Sequence, residues 1–399
     1  MASGIREVLL GPSYFHHRRL IEQSKNWTTD EIQAYQKPKF EKIVHRYGTA
    51  ITDKEDYRAT PQRYSRWGVP LLTHYVRTGG TSGQPLRFRA DTLARRQKER
   101  AYLFDIWSRI GYTPHDLRVV FRGRILSDIV QMDRLENAWV VSPRLTTAEH
   151  VQQLRSWIRT LPPFFLHVYP SSLYPFIELV SEKLFRSLPV RGVFAGSEGF
   201  PPGQQEQFEE NFGIQIAHWY GHSEYAVLAY RCRDCRGFHF YPTYGHVELV
   251  PSDTQGCQRI IATSFSGIGT QFVRYDTRDL AVTDNVDCAA DNFPRVGSIV
   301  GRSQETIRDE SGRRWSLLGY AFGIHGSFWD QIQDLQFVQD RPGHLIVRLV
   351  PSLEADKQLI EDTLKGRMRM IELDFEYVSA IPRTENGKRK YLVDLLEGS

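Results

Sequence analysis

Phe164-Phe165-Leu166-His167-Val168, Arg191-Gly192-Val193-Phe194-Ala195 and Ile214-Gln215-Ile216-Ala217-His218-Trp219 are three short apolar runs separated by helical patterns. Each has strand length. After the first, Ser171 or Ser172 is placed to cap a helix running towards Phe185. After the second, Pro201 and Pro202 suit the first turn of a helix and Gly213 its stop. Upstream, Thr146 and Glu149 form a capping-box pattern. Val151, Leu154, Ile158 and Leu161 then recur at helical spacing until Pro162-Pro163 ends the run. Strand–helix–strand alternation with crossovers of this length predicts a parallel sheet covered by helices, so the expected class is α/β.

In open parallel sheets, ligands gather at the carboxyl ends of the strands. These three strands end in Tyr169-Pro170-Ser171-Ser172, in Gly196-Ser197-Glu198 and in Tyr220-Gly221-His222-Ser223-Glu224. Three polar clusters are therefore expected along one edge, with Glu224 an acid suited to Mg²⁺.

Beyond Cys232 the texture changes to short strands, clearest at Gly245 to Val250 and Arg259 to Thr263. A boundary is expected near Arg302-Ser303. After it, Leu335 to Val338 and His344 to Val350 flank a turn at Asp340-Arg341-Pro342-Gly343, a hairpin pattern. A helix from Ser352 to Leu364 and a strand near Phe375 to Val378 complete a small α+β unit. The expected organisation is a large N-terminal domain over 1–302, with a short-stranded β subregion at 230–290, and a small mobile α+β domain over 303–399. No internal repeat or low-complexity segment stands out.

Two segments outside the sheet carry chemistry. Thr78-Gly79-Gly80-Thr81-Ser82-Gly83-Gln84-Pro85 combines glycines with hydroxyls, so successive amides can form a concave nest for an anion. It is not a Walker loop, because no Gly-Lys-Ser/Thr ends it. Ile381-Pro382-Arg383-Thr384-Glu385-Asn386-Gly387-Lys388 offers a lysine near the end of the chain. Cys232-x-x-Cys235-x-x-x-His239 has ligand-like spacing, and Cys288 would close a tetrahedral structural zinc site. Cys257 is the alternative fourth ligand and reads better as a core residue.

At 399 residues, 41% hydrophobic and 12% aromatic, the chain can bury a large core. A net charge of +4 against 51 basic and 47 acidic residues fits an anionic ligand without implying nucleic acid. Arg95-Arg96-Gln97-Lys98-Glu99-Arg100 reads as a solvated helix face. Val8-Leu9-Leu10 is too short for a signal peptide, and no run approaches the roughly 18 apolar residues of a membrane span. Four cysteines are too few for a disulfide scaffold, so the cytoplasm is the expected compartment.

These residues resemble the adenylate-forming (AMP-forming) ligase superfamily. Within it the chain is similar to the phenylacetate–CoA ligase family, nearest the capsular polysaccharide biosynthesis (CapK-like) group. The similarity runs from Tyr75 to Leu392. It rests on the motifs above together with Arg274-Tyr275-Asp276-Thr277-Arg278-Asp279 and Gly297-x-x-x-Gly301-Arg302. The resemblance implies that Thr78, Gly79, Gly80, Thr81, Ser82 and Gly83 hold the ATP phosphates. Gly196, Ser197 and Glu198 would border the adenine, with Tyr220 against its face and Gly221 and His222 beside it. Glu224 would bind Mg²⁺, Ser223 the α-phosphate, and Asp279 with Arg302 the ribose. Lys388 would reach the α-phosphate and the substrate carboxylate. It also implies zinc on His239 and the cysteines. Two positions depart from the family: Gln84 stands where a lysine is common, and Ser303-Gln304-Glu305 replaces a hinge usually bearing paired aspartates.

The activity implied is activation of a small carboxylic acid to an acyl-adenylate, followed by transfer to an acceptor, with coenzyme A the default. An amine or sugar acceptor giving an amide or ester is the competing outcome. A different class, a zinc-containing module gripping RNA or an anionic polymer, draws on Arg231, Arg233 and Arg236 but leaves the strand-end clusters unexplained. A degenerate ligase that binds nucleotide without turnover is the third reading. Phe121, Arg122, His167, Tyr169 and Phe194 are the candidate walls of the acid pocket, neither membrane nor nucleic acid is an expected partner, and no lone histidine is paired with a nucleophile.

Overall fold

Five parallel strands form the centre of the largest sheet: Ile216–Gly221, Val190–Gly196, Phe164–Val168, Leu117–Phe121 and Ala138–Val141, in that spatial order. The computed structural model describes residues 2–66, 73–77, 86–92, 94–122, 126–142, 147–200, 203–265, 269–284, 286–302, 306–317, 331–353, 355–369, 371–382 and 390–396. The middle strands are apolar along most of their length, as burial on both faces requires. Phe164, Phe165, Leu166 and Val168 are all inaccessible to solvent. Antiparallel strands extend both edges: Leu228–Arg231, Phe238–Phe240 and Arg295–Val296 on one side, Val130–Asp133 on the other.

The two faces are packed differently. The helix Ala94–Ser108 presses Trp107 onto Phe194 at 4.4 Å, and Phe194 stacks in turn on Phe165 at 5.1 Å. On the opposite face, Leu154, Phe176 and Phe208 from three helices meet Leu166 and Val193. Burying each such side chain contributes roughly 1.5–3 kcal/mol.

Several local expectations need correction. The cap before the helix Ala148–Ile158 is Thr147, whose hydroxyl accepts from the His150 amide at 3.2 Å; Thr146 lies outside the described residues. The helix expected from Ser171 or Ser172 to Phe185 is interrupted by Ser181, whose φ of 70° separates Leu173–Val180 from Glu182–Phe185. Pro201 and Pro202 lie outside the described residues, and the helix runs Gln204–Phe212, ending as expected at the left-handed Gly213. The charged run at 95–100 is not a solvated face. Lys98 is buried and donates to the Tyr244 carbonyl at 2.9 Å, Glu99 accepts from the Tyr244 hydroxyl at 2.6 Å, and Arg95 lies 3.7 Å over the Tyr225 ring.

A second, antiparallel sheet orders Gly245–Pro251, Gln258–Ser264, Tyr275–Val282 and Ser298–Arg302. A third joins Ser65–Arg66, Gly269–Thr270, Arg87–Asp91 and Thr73–Arg77. The last two of these form an antiparallel pair leading into and out of the glycine-rich segment. Towards the C-terminus, Glu372–Tyr377, His344–Pro351, Ile332–Arg341 and Leu392–Asp394 make an α+β unit with the helix Lys357–Arg367. That helix starts later than the expected Ser352, because Asp356 caps it. The unit has its own core around Phe337, Val347, Ile360 and Leu364.

Gly245 marks a close approach between chain segments. A methyl there would stand 2.1 Å from the Ala226 carbonyl oxygen and 2.9 Å from that of Thr263. Both neighbours are backbone, so Gly245→Ala is expected to cost about 1–3 kcal/mol by urea unfolding. A loss below about 0.5 kcal/mol, the usual scatter of neutral substitutions, would contradict this packing.

Candidate active site and metal centre

The polar strand ends converge as the parallel arrangement requires. Arg122 follows the strand Leu117–Phe121, and its guanidinium reaches across two neighbouring strands. Nη1 donates to His167 Nε2 at 3.1 Å, Nη2 donates to Ser197 Oγ at 2.8 Å, and the Tyr169 ring lies 4.5 Å beneath. Burial drives His167 far below the usual histidine range, and Arg122 and Arg118 push the same way. The imidazole is therefore neutral, with Nε2 free to accept.

Ser197 has a left-handed backbone, φ 72°. For a residue other than glycine this stores about 1–3 kcal/mol of strain, a feature concentrated at functional sites. Gly196 permits the turn, because a Cβ there would stand 2.3 Å from the Trp219 ring. Glu198 accepts from the Ser171 amide at 3.1 Å, and its carbonyl meets His218 Nε2 at 3.1 Å.

The next strand end joins the second sheet. The Tyr220 hydroxyl donates to Asp279 Oδ2 at 2.6 Å. Burial raises the Tyr220 phenol well above its ordinary range and the adjacent Asp279 carboxylate adds to this, so the proton stays on the tyrosine. Asp279 is also the register partner of Arg302 across adjacent strands. Gly221, His222 and Ser223 form the half-buried turn leading to Glu224. Glu224 is 7% exposed and accepts from the Tyr275 hydroxyl at 2.9 Å, with His222 Nδ1 at 2.9 Å from its other oxygen.

Phe194 is the register partner of His167, their rings 6.0 Å apart, whereas Phe121 faces another neighbour. Phe121 packs on Phe176, and Phe194 is fully buried in the aromatic stack below the edge. The phosphate-loop candidates Thr78, Gly79, Gly80, Thr81, Ser82 and Gly83, the hinge 303–305 and Lys388 lie outside the described residues, as does the side chain of Arg302.

Cys232, Cys235, His239 and Cys288 form a second cluster, with their ligand atoms all within 4.8 Å of one another. Cys232 and Cys288 sulfurs are 3.7 Å apart, and Cys235 Sγ is 3.2 Å from His239 Nε2. Zinc–sulfur bonds of about 2.3 Å would set tetrahedral sulfurs roughly 3.8 Å apart, so the donor set and its spacing fit that ion. Cys257 lies elsewhere, packed with Leu280 and Val300.

Two residues not singled out in the sequence complete these sites. Tyr275 sits in the quoted Arg274 to Asp279 run, at the start of the strand that also carries Asp279. Asp291 accepts from His239 Nδ1 at 2.7 Å, aiming Nε2 at the cysteines, a common support for a metal-binding histidine. Its sequence signal is only an acid three residues beyond Cys288.

Burial alone would raise the Glu224 carboxyl, but His222, Lys54 and the Tyr275 hydroxyl hold it at about 2. A folded value below the ordinary 4.5 contributes stability that is complete above that pH and is lost as pH falls through about 2. Between pH 5 and pH 3 the wild type is expected to lose about 2 kcal/mol more than Glu224→Gln, read by urea unfolding. Parallel pH profiles for the two proteins would contradict the assignment.

Residues 323–394 match the CapK C-terminal domain family. Protein CapK of Staphylococcus aureus is 22% identical over 341 residues, covering 79% of this chain and 73% of that protein. Among solved structures, 2-hydroxyisobutyryl-CoA ligase in the postadenylation state with R3-HIB-AMP aligns with a TM-score of 0.63 at 16% identity, over 97% of this chain and 89% of that one. The same ligase with 2-HIB-AMP aligns with a TM-score of 0.59 at 17% identity, over the same shares. Among the described residues, no helix is long and apolar enough to cross a membrane. The C-terminal residues thus match the CapK C-terminal domain family, and the chain as a whole shares its fold with 2-hydroxyisobutyryl-CoA ligase.

Proposed function

We propose that this protein uses ATP to activate a carboxylic acid, forming an acyl-adenylate and releasing pyrophosphate. The observation that carries the reading is the Tyr220–Asp279 hydrogen bond. It joins residues 59 positions apart, one at a central strand end and one on the second sheet. In this reading Tyr220 lies against the adenine, Gly196, Ser197 and Glu198 border it, and Asp279 with Arg302 takes the ribose hydroxyls. Gly221 and His222 shape the turn, Ser223 meets the α-phosphate, and the Thr78 to Gly83 segment holds the phosphate chain.

A carboxylate and a triphosphate repel each other, so the chief task is neutralisation and alignment. Glu224 suits Mg²⁺, which is commonly held by one or two carboxylates plus substrate phosphates. His222 and Tyr275 keep that carboxylate ionised and fixed, and each of its oxygens retains a lone pair. When bound, Mg²⁺ would neutralise phosphate oxygens. Lys388 would supply the second cation, at the α-phosphate and the reacting carboxylate. The chain divides in this reading into a domain over 1–302 and a mobile one over 303–399, whose swing about 303–305 withdraws Lys388 before the acceptor enters. Coenzyme A is the acceptor favoured by the fold shared with a CoA ligase. An amine or sugar acceptor uses the same adenylation chemistry.

A carboxylate panel read by ATP–pyrophosphate exchange tests the reading. Acid-dependent exchange is expected, and Lys388→Ala should lower it about 10²–10³-fold while ATP binding persists. Exchange unchanged in that variant rejects the role of Lys388. Nucleotide binding without exchange in the wild type indicates a degenerate ligase, and salt-sensitive polymer binding alone indicates a binding module.

The Cys232, Cys235, His239 and Cys288 cluster is proposed to hold structural zinc, oriented through Asp291. Purified protein should contain about one equivalent, and chelation should lower the unfolding temperature. Less than half an equivalent, with stability unaffected by chelator, removes the site.

A further inference from the structure

We propose that Arg122 reads a second anionic group on the activated acid, so that the substrate is a dicarboxylate or a comparable doubly anionic acid. The proposal rests on the adenylation reading and deepens it. Among the described residues Arg122 forms no ion pair, and Glu198 is the acid whose charge acts on it. Its described side-chain partners, His167 Nε2, Ser197 Oγ and Tyr169, are uncharged, and its Nε is buried with no hydrogen-bond partner among the described residues. Arg118, four residues earlier and on the strand that Arg122 follows, shows the usual alternative by pairing with Glu136 at 2.8 Å. The acid nearest in charge terms, Glu198, spends one carboxylate oxygen on the Ser171 amide and forms no ion pair with Arg122. Holding a half-buried guanidinium with no ion pair among the described residues is costly, and an incoming oxyanion lowers that cost.

Position decides which part of the substrate this anion is. The carboxylate being activated must meet the α-phosphate, near Ser223 and Glu224 at the end of Ile216–Gly221. The Arg122 guanidinium stays over the ends of Phe164–Val168 and Val190–Gly196, held there by His167 and Ser197. Neighbouring strands lie about 4.8 Å apart, so the two points are separated by roughly 5–10 Å, one to two strand spacings. A short aliphatic or aromatic diacid spans that gap. His167 and Ser197 act as positioning residues, aiming the guanidinium and leaving its remaining donors for the ligand.

The test compares charge at constant size. Succinate, glutarate, adipate and phthalate are each matched against their monoamides in pyrophosphate exchange and in calorimetric binding, with 3-phosphonopropionate added to distinguish a phosphoryl from a carboxyl group. Wild type should favour at least one diacid, or the phosphonate, over its neutral match by about 10- to 100-fold in KM. Arg122→Met should abolish that preference, raising KM for the diacid far more than for its monoamide, and Arg122→Lys should restore part of it. Equal use of every charged and neutral pair by wild type overturns the proposal, as does an equal loss for both members of each pair in Arg122→Met. Exchange with no acid at all contradicts the adenylation reading instead. Calorimetry then decides on Arg122: tighter diacid binding to wild type than to Arg122→Met supports its anion site, and identical binding overturns it.

Discussion

The common direction of four adjacent strands is the constraint on which this structure depends. Leu117–Phe121, Phe164–Val168, Val190–Gly196 and Ile216–Gly221 run parallel, so their carboxyl ends open on one edge. Residues as distant in sequence as Arg122 and Ser197 can therefore share a hydrogen bond. Reversing any one strand would send its polar tail to the opposite edge and dismantle the arrangement. The continuous apolar sequence of these strands pays for that register, since both faces are packed against side chains rather than water.

The edge alone gives half of the proposed site. The other half comes from the second sheet, docked through hydrogen bonds that cross between the layers: Tyr220 to Asp279, and Tyr275 to Glu224. Each pairs an acid, buried Glu224 or half-buried Asp279, with a protonated phenol, which is cheaper than leaving either group unpaired. The same contacts fix the ionisation states. Tyr220 keeps its proton because burial, and then the carboxylate it faces, disfavour the phenolate, and Glu224 loses its own because His222 and a phenol hydroxyl favour the anion. Structural satisfaction and chemical readiness are thus the same set of bonds.

What the sequence revealed follows from the range of the forces involved. The central strands and the Gly213 stop were legible because apolar runs and a left-handed glycine are local signals. The zinc-like cluster was legible because its spacing is local too, with only Cys288 brought from afar. The helix before Leu161 was placed correctly in kind, but its cap was not, because Thr146 and Thr147 are chemically equivalent neighbours. The run at 95–100 was misread since its partners, Tyr225 and Tyr244, lie more than a hundred residues away. Of the pocket walls, Arg122, His167 and Tyr169 do meet. Phe194, the register partner of His167, packs with it against Trp107, but its apolar ring is fully buried in the stack.

The central claim is that this edge, completed by the second sheet, receives the nucleotide on which an acid is activated. A crystal structure with AMP bound tests it most directly. The account expects the base beside Tyr220 and the Gly196-Ser197-Glu198 turn, with the ribose hydroxyls on Asp279. AMP bound away from these residues, with the Tyr220–Asp279 edge untouched, would contradict it.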